Sequence, residues 1–133
     1  MSDRQLQSIV GCILGTAVGD ALGLPYEGLS RDRRQKFVPL IKGYKFFINK
    51  GAISDDTEHV CMVAQSLIAS GGEEAEFIDE FALRLRWWLV GLPAGIGKGT
   101  LKAIIKLWQK LPPDRSGVDS AGNGAAMRSA ILG

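Results

Sequence analysis

Three stretches of this chain repeat apolar residues at intervals of three and four, and Gly or Pro closes each one. Between Asp55 and Gly71-Gly72 the stripe is Val60, Val63, Ala64, Leu67 and Ile68. From about Glu73 to Val90 it is Ile78, Phe81, Ala82, Leu85, Trp88 and Leu89, with Gly91-Leu92-Pro93 as the stop. After Thr100 it is Leu101, Ile104, Ile105 and Trp108, ended by Pro112-Pro113. That spacing lines up one apolar face on a helix. Glu73, Glu74 and Glu76 suit the positive N-terminal end of the middle helix. A further helix is predicted from about Asp3 to Leu22, capped by Ser2 or Asp3 and followed by Pro25. Ala121 to Gly133 reads as a Gly/Asn loop leading into a short apolar helix. Residues 31 to 53 read as irregular, broken by Pro39, Gly43 and Gly51, with a short strand near Tyr44 to Ile48. The fold class is all-α. Heptads are not sustained, so the expectation is a compact orthogonal helical bundle rather than a coiled coil.

The first helix carries Gly11, Gly15, Gly19 and Gly23, each four residues apart. Each glycine weakens a helix by up to about 1 kcal/mol relative to alanine. Spacing of four puts them on one side, where another backbone can approach closely. The expectation is a tightly packed central helix, or a helix end pressed near a ligand.

A chain of 133 residues holds one domain at most. Its 46% hydrophobic and 23% charged residues are ordinary for a globular domain. The net charge of +2 does not by itself point to nucleic acid. Arg31, Arg33, Arg34, Lys36, Lys42, Lys45 and Lys50 do cluster, with Asp32 the single acid among them. They lack the interleaved aromatics of a single-strand binder and read as a solvated face. Cys12 and Cys61 each lie in an apolar helical pattern without metal-ligand spacing, as reduced core residues of a cytoplasmic protein would. No signal peptide is visible, and no run approaches the ~18 apolar residues of a membrane span.

Chemistry concentrates in Ile53-Ser54-Asp55-Asp56-Thr57-Glu58-His59, at the head of the second helical stretch. Adjacent carboxylates repel, and burying one alone costs several kcal/mol. A hard cation held through oxygen ligands, such as Mg²⁺, relieves that cost; so do helix capping and solvent, and the residues fit both readings. His59, the single histidine, falls three and four residues after the aspartates. It reads as a ligand or proton carrier, or as a packing histidine. Gly95-Ile96-Gly97-Lys98-Gly99-Thr100 is not a phosphate loop. Gly99 separates Lys98 from Thr100, and the distance back to Gly91 is one residue too long. It is expected to be a flexible helix entry capped by Thr100. Gly122-Asn123-Gly124-Ala125-Ala126-Met127-Arg128 is a turn before a helix, or a place where free backbone N–H groups and Arg128 meet an anion.

Taken in order, Gly15-x-x-x-Gly19-Asp20-Ala21-Leu22-Gly23, Ser54-Asp55-Asp56-Thr57 and Gly122-Asn123-Gly124-Ala125-Ala126-Met127-Arg128 resemble the ADP-ribosylglycohydrolase family. The resemblance covers residues 1–133 as about the N-terminal half of a typical member's helical domain. It implies an all-α hydrolase with two Mg²⁺ ions in a cleft, which removes ADP-ribose from a modified protein side chain or related conjugate. It assigns Ser54, Asp55 and Asp56 as metal ligands, and Asp55 and Asp56 also as catalytic groups. The glycine-rich turn, with Gly122, Asn123, Gly124 and Met127, would bind substrate near the ADP-ribose diphosphate. Glu27 holds the position of a catalytic glutamate at the reacting ribose. The family's Asp-x-Asp-Thr motif, which completes the metal site, does not occur after Thr57. The resemblance therefore implies half a ligand set, weak metal binding and impaired turnover. The apolar Ala130-Ile131-Leu132-Gly133 end reads as that of a fragment, with self-association through this face a possible partnership. The expected partner is an ADP-ribosylated substrate, not nucleic acid or a membrane. Two alternatives stand beside this: a non-catalytic helical module binding ADP-ribose or a protein, and a metal-dependent phosphohydrolase using Asp55, Asp56 and His59.

Overall fold

A computed structural model describes residues 2–46 and 48–132. Among the described residues there are seven α-helices and no strand. They are α1 (Asp3–Gly23), α2 (Arg31–Phe37), α3 (Asp55–Ser70), α4 (Glu74–Val90), α5 (Lys98–Trp108), α6 (Pro113–Ser116) and α7 (Gly124–Ser129). A 3₁₀ turn, Leu24–Tyr26, follows α1. The all-α expectation is met.

The centre of the bundle is α3, which packs against α1, α4 and α7, while α4 carries α5 and α6. The core is Met62, Ala82, Leu85, Ile104 and Leu107, with Phe81, Trp88 and Leu89 packed on it. Val60 and Val63 are also buried. Each fully buried Val, Leu, Ile or Met side chain among them contributes about 1.5–3 kcal/mol by leaving water. The predicted face of α4 is the observed one. The other two stripes are partly wrong. Ile68 is 81% exposed, and Ile105 and Trp108 lie outside while Leu107 lies inside. Helix α3 meets neighbours on several sides, so one stripe does not describe its burial. Gly71 ends it in the left-handed region (φ 59), where a side chain would be strained.

Residues 31 to 53 are not wholly irregular. Helix α2 is seven residues long and without a buried face, so it carries no apolar stripe to find. It is held locally: Ser30 accepts from the Arg33 N–H, Asp32 sits in the first turn, and Arg34 and Lys36 sit in the last. The strand expected near Tyr44 to Ile48 does not form among the described residues; Phe47 lies outside them, as does Gly133. Ile48 and Asn49 take φ of 47 and 59, which breaks an extended run. Helix α5 starts at Lys98, and Gly97 precedes it without a side-chain cap, so Thr100 is an internal residue and not the cap. Gly99 is needed by packing: a Cβ there would lie 2.9 Å from the Ser120 hydroxyl.

Helix α1 departs most from expectation. Ser2 and Gln5 form a reciprocal capping box at its start. Beyond that, Ala21 is its one buried residue, and Leu14 is 60% exposed. A Cβ added at Gly11, Gly15, Gly19 or Gly23 would meet nothing within 4 Å. The glycine side is therefore open among the described residues, and α3, not α1, is the central helix. With its following turn, Asp3–Tyr26 is also long and apolar enough by composition to cross a membrane. A search for unbroken apolar runs overlooks this, because Gly11, Gly15, Thr16, Gly19 and Asp20 interrupt the apolar residues of the helix. Cys12 and Cys61 are free thiols, half-buried rather than in the core.

Candidate active site

The site is assembled where the end of α1 meets the start of α3. The Asp20 carboxylate bridges the two. Its Oδ2 accepts from the Ser54 N–H (2.7 Å), the Thr57 N–H (3.3 Å) and the Thr57 hydroxyl (2.5 Å). Its Oδ1 accepts from the Ser54 hydroxyl (2.8 Å). Ser54 in turn caps α3 by accepting from the Asp56 N–H. Burial works to raise the Asp20 pKa, but the hydrogen bonds from Thr57 and Ser54 outweigh it and hold the group below its ordinary value. Asp20 is thus an anionic cap supplied by a different helix. Its partners lie 34 and 37 positions along the chain, so no local pattern assigns it this role. The signal was an acid among glycines at a helix end.

Asp55 and Asp56 open α3 but face different depressions. Asp55 lines a cavity of about 550 Å³ shared with Gly97, Lys98, Thr100, Gly122, Asn123, Gly124, Met127 and Arg128. Asp56 lines a second depression of about 310 Å³ with Gly19, Asp20, Tyr26 and Glu27. The substrate-binding residues expected from sequence are therefore gathered with Asp55, and the expected catalytic Glu27 with Asp56. The four acids are near enough to feel one another. Burial, then Asp56 and Asp20, push Asp55 up against a smaller pull from Arg128. Burial and Asp20 push Asp56 up. Glu27 is raised by burial and by Asp56, Asp55 and Asp20.

These donors are of the right kind for a hard divalent cation: oxygen only, anionic and mutually repelling. They are short in number. Among the described residues no three Asp, Glu, His or Cys side chains converge as a metal site, and the Ser54 hydroxyl is committed to Asp20. Asp55 and Asp56 fit such an ion in chemistry, as part of a ligand set.

An acid whose pKa is raised on folding adds stability below its unfolded value and loses it as pH rises through the folded one. Asp55, Asp56 and Glu27 therefore make the metal-free chain less stable from acid toward neutral pH. Asp55→Asn and Asp56→Asn are each expected to raise the metal-free thermal midpoint at pH 7. The gain is below about 1 kcal/mol, because both carboxylates are largely solvated. Melting curves at pH 3 and 7 check this: the variants separate from wild type more at the higher pH, since the cost begins as pH rises past the unfolded value of 3.8.

His59 is not a free ligand or proton carrier. It is fully buried. The Arg128 Nε–H donates to its Nδ1 at 2.8 Å. The Trp88 ring meets it edge-on, with centroids 4.4 Å apart. Trp88 is itself fixed by donating to Glu58 at 2.6 Å. Burial, with Arg128 adding to it, lowers the His59 pKa to about 3. The packing reading of this histidine holds, and the phosphohydrolase reading loses its third group. Lys98 and Thr100 also lie on the cavity wall; their loop lacks the phosphate-loop pattern, so nothing local in the sequence marks them as site residues.

An all-α domain that brings an acidic helix start and a glycine–asparagine turn to one cavity is a narrow class, and comparison with known proteins specifies it. The profile of the ADP-ribosylglycohydrolase family matches residues 1–133. A protein of Archaeoglobus fulgidus described only as uncharacterized is 40% identical over 132 residues, covering 92% of this chain and 41% of its own length. The ADP-ribosyl-[dinitrogen reductase] glycohydrolase of Rhodospirillum rubrum is 33% identical over 127 residues, covering 90% of this chain and 41% of its own. The chain belongs to the ADP-ribosylglycohydrolase family, and spans about two fifths of the length of these relatives.

Proposed function

We propose that this chain supplies the acidic centre and the ligand-binding turn of a Mg²⁺-dependent hydrolase that removes ADP-ribose from a modified protein side chain or a related conjugate. The observation that carries the reading is the shared cavity: Asp55, the Gly122–Gly124 turn and Arg128 line one space of about 550 Å³. The volume is that of a small-molecule site. Glycosidic cleavage at a ribose develops positive charge on the sugar and needs an aligned water. Asp55 faces the ligand cavity and stabilises that charge, while Asp56 and Glu27 approach from the adjoining depression. Burial and three neighbouring acids raise the Glu27 pKa, which favours Glu27 as the proton-transfer group of the site. Mg²⁺, when bound by Asp55 and Asp56, would supply a Lewis acid that lowers the pKa of bound water. Asp20 holds the head of α3 in place.

The shortfall in metal donors favours a second reading beside this one, in which the chain by itself binds ADP-ribose without turning over conjugates. Calorimetry and ADP-ribose release separate the two. The chain is expected to bind ADP-ribose with Mg²⁺ present, and to release it from arginine- or serine-linked conjugates slowly or not at all. Asp55→Asn is expected to weaken Mg²⁺ binding at least about tenfold, through loss of an anionic ligand. No heat with ADP-ribose, with or without Mg²⁺, overturns both readings.

A further inference from the structure

Arg128 is a half-buried cation with an unusual set of partners. Its Nε–H donates to His59 Nδ1 at 2.8 Å, and its Nη2 donates to the Thr100 hydroxyl at 3.2 Å. Its Cζ lies 5.8 Å from the Phe81 ring centroid. A Cβ on Gly124 would sit 3.4 Å from Nη1, so the guanidinium lies directly under the Gly122–Gly124 turn. Among the described residues no carboxylate lies within 4 Å of it; the one ion pair joins Arg84 and Glu80.

A buried or half-buried arginine is ordinarily paired with a carboxylate, which both orients it and cancels its charge. Here the orientation comes from two neutral acceptors. His59 is suited to this role. Its ring is wholly buried, pinned by Trp88, and able to accept at Nδ1 only as the neutral tautomer with its proton on Nε2. That Nε2 has no partner among the described residues, so Nδ1 is the nitrogen that does work. The result is a guanidinium fixed in direction, with no carboxylate in contact, Asp55 and Asp56 acting on it only from a distance, and its Nη1 donors without an acceptor among the described residues, on the wall of an open cavity. A planar donor fork in that state suits a phosphate or diphosphate oxygen.

We propose that Arg128 is the anion-binding residue of this cavity, and that His59 and Thr100 are its positioning residues, neutral acceptors that aim the guanidinium without neutralising it. The inference deepens the functional reading, since the anion in that reading is the diphosphate of ADP-ribose. Its own test does not need ADP-ribose.

The probe is inorganic pyrophosphate, titrated calorimetrically into the full 133-residue chain. Wild type is expected to bind, and Arg128→Gln to weaken binding about 10- to 100-fold, the loss of charge-assisted hydrogen bonds. Thr100→Val and His59→Phe each remove one positioning acceptor and are expected to weaken it about 3- to 10-fold. His59→Asn, which keeps an acceptor near the Nδ1 position, is expected to restore most of the affinity lost in His59→Phe; a purely structural histidine would not be rescued this way. Thr100 is only half-buried, so its variant keeps the test alive where a His59 variant fails to fold. Nitrogen-15 spectra of wild type at pH 7 are expected to show the neutral Nε2–H tautomer and a shift of the Arg128 Nε signal on adding pyrophosphate. No heat with pyrophosphate, an unchanged affinity in Arg128→Gln, or a protonated His59 at pH 7 overturns the inference. Binding of pyrophosphate with the expected variant pattern, alongside no binding of ADP-ribose, supports it while removing the functional reading above.

Discussion

Asp20→Ala is expected to destabilise the chain by about 3 kcal/mol, the largest loss from any single change outside the core. One carboxylate receives four hydrogen bonds from Ser54 and Thr57. Two of the donors are backbone N–H groups at the head of α3, where a negative charge also meets the positive end of the helix. Alanine leaves these donors to water or unmade, and Thr57 is buried. It also releases the end of α1, whose remaining buried residue is Ala21. Asp20→Asn keeps part of the acceptor capacity but turns an amide donor toward other donors, so about half the loss is expected. The pH dependence separates this effect from simple packing. A carboxylate whose pKa is lowered on folding contributes stability above its unfolded value of 3.8 and loses it as pH falls through the folded value. Wild type should lose this contribution between about pH 4 and more acid conditions, and Asp20→Ala should show a flatter acid limb. Urea titrations from pH 2.5 to 7 measure it. Equal slopes in the two proteins would mean that Asp20 does not hold the junction.

Residues whose role is local could be read from the chain; residues whose role depends on a distant partner could not. The ends of α3 and α4 follow from Ser54, Gly71 and the Gly91 stop, all of which act within one or two turns. The grouping of Asp55 with the Gly122–Gly124 turn required family likeness, since 67 or more positions separate them and no periodicity links the two. Asp20 and Arg128 were visible as charged residues in quoted motifs, yet their roles lie in bonds to residues 34 to 37 and 28 to 69 positions away. The glycine stripe of α1 did not predict its packing, for the complementary reason, although Gly19 and Gly23 at its end do line the depression with Asp56 and Glu27. Its spacing specifies a smooth helix side, but nothing in the spacing says whether a neighbour lies against it, and here none of the described residues does.

Mg²⁺ is expected to raise the thermal midpoint at pH 7.5 by several degrees and to have little effect at pH 4. The argument begins with charge rather than with the family. Asp55, Asp56 and Glu27 each have a raised pKa, with burial the first cause and neighbouring acids contributing to all three. Near pH 4 they take up protons, their repulsion is relieved, and a cation has little to bind. As pH rises they ionise at a cost to the fold, and a divalent cation recovers that cost. At ten times its dissociation constant a ligand specific to the native state adds about 1.4 kcal/mol, which for a domain of this size is a shift of roughly 4–8 °C. Asp55→Asn combined with Asp56→Asn should abolish the Mg²⁺ effect and leave a metal-free protein at least as stable as wild type. Na⁺ at equal ionic strength is the control for screening of the acids, which would move both proteins alike. A Mg²⁺ shift that survives in the double variant, or that is matched by Na⁺, would place the cation elsewhere and leave Asp55 and Asp56 as solvated caps of α3.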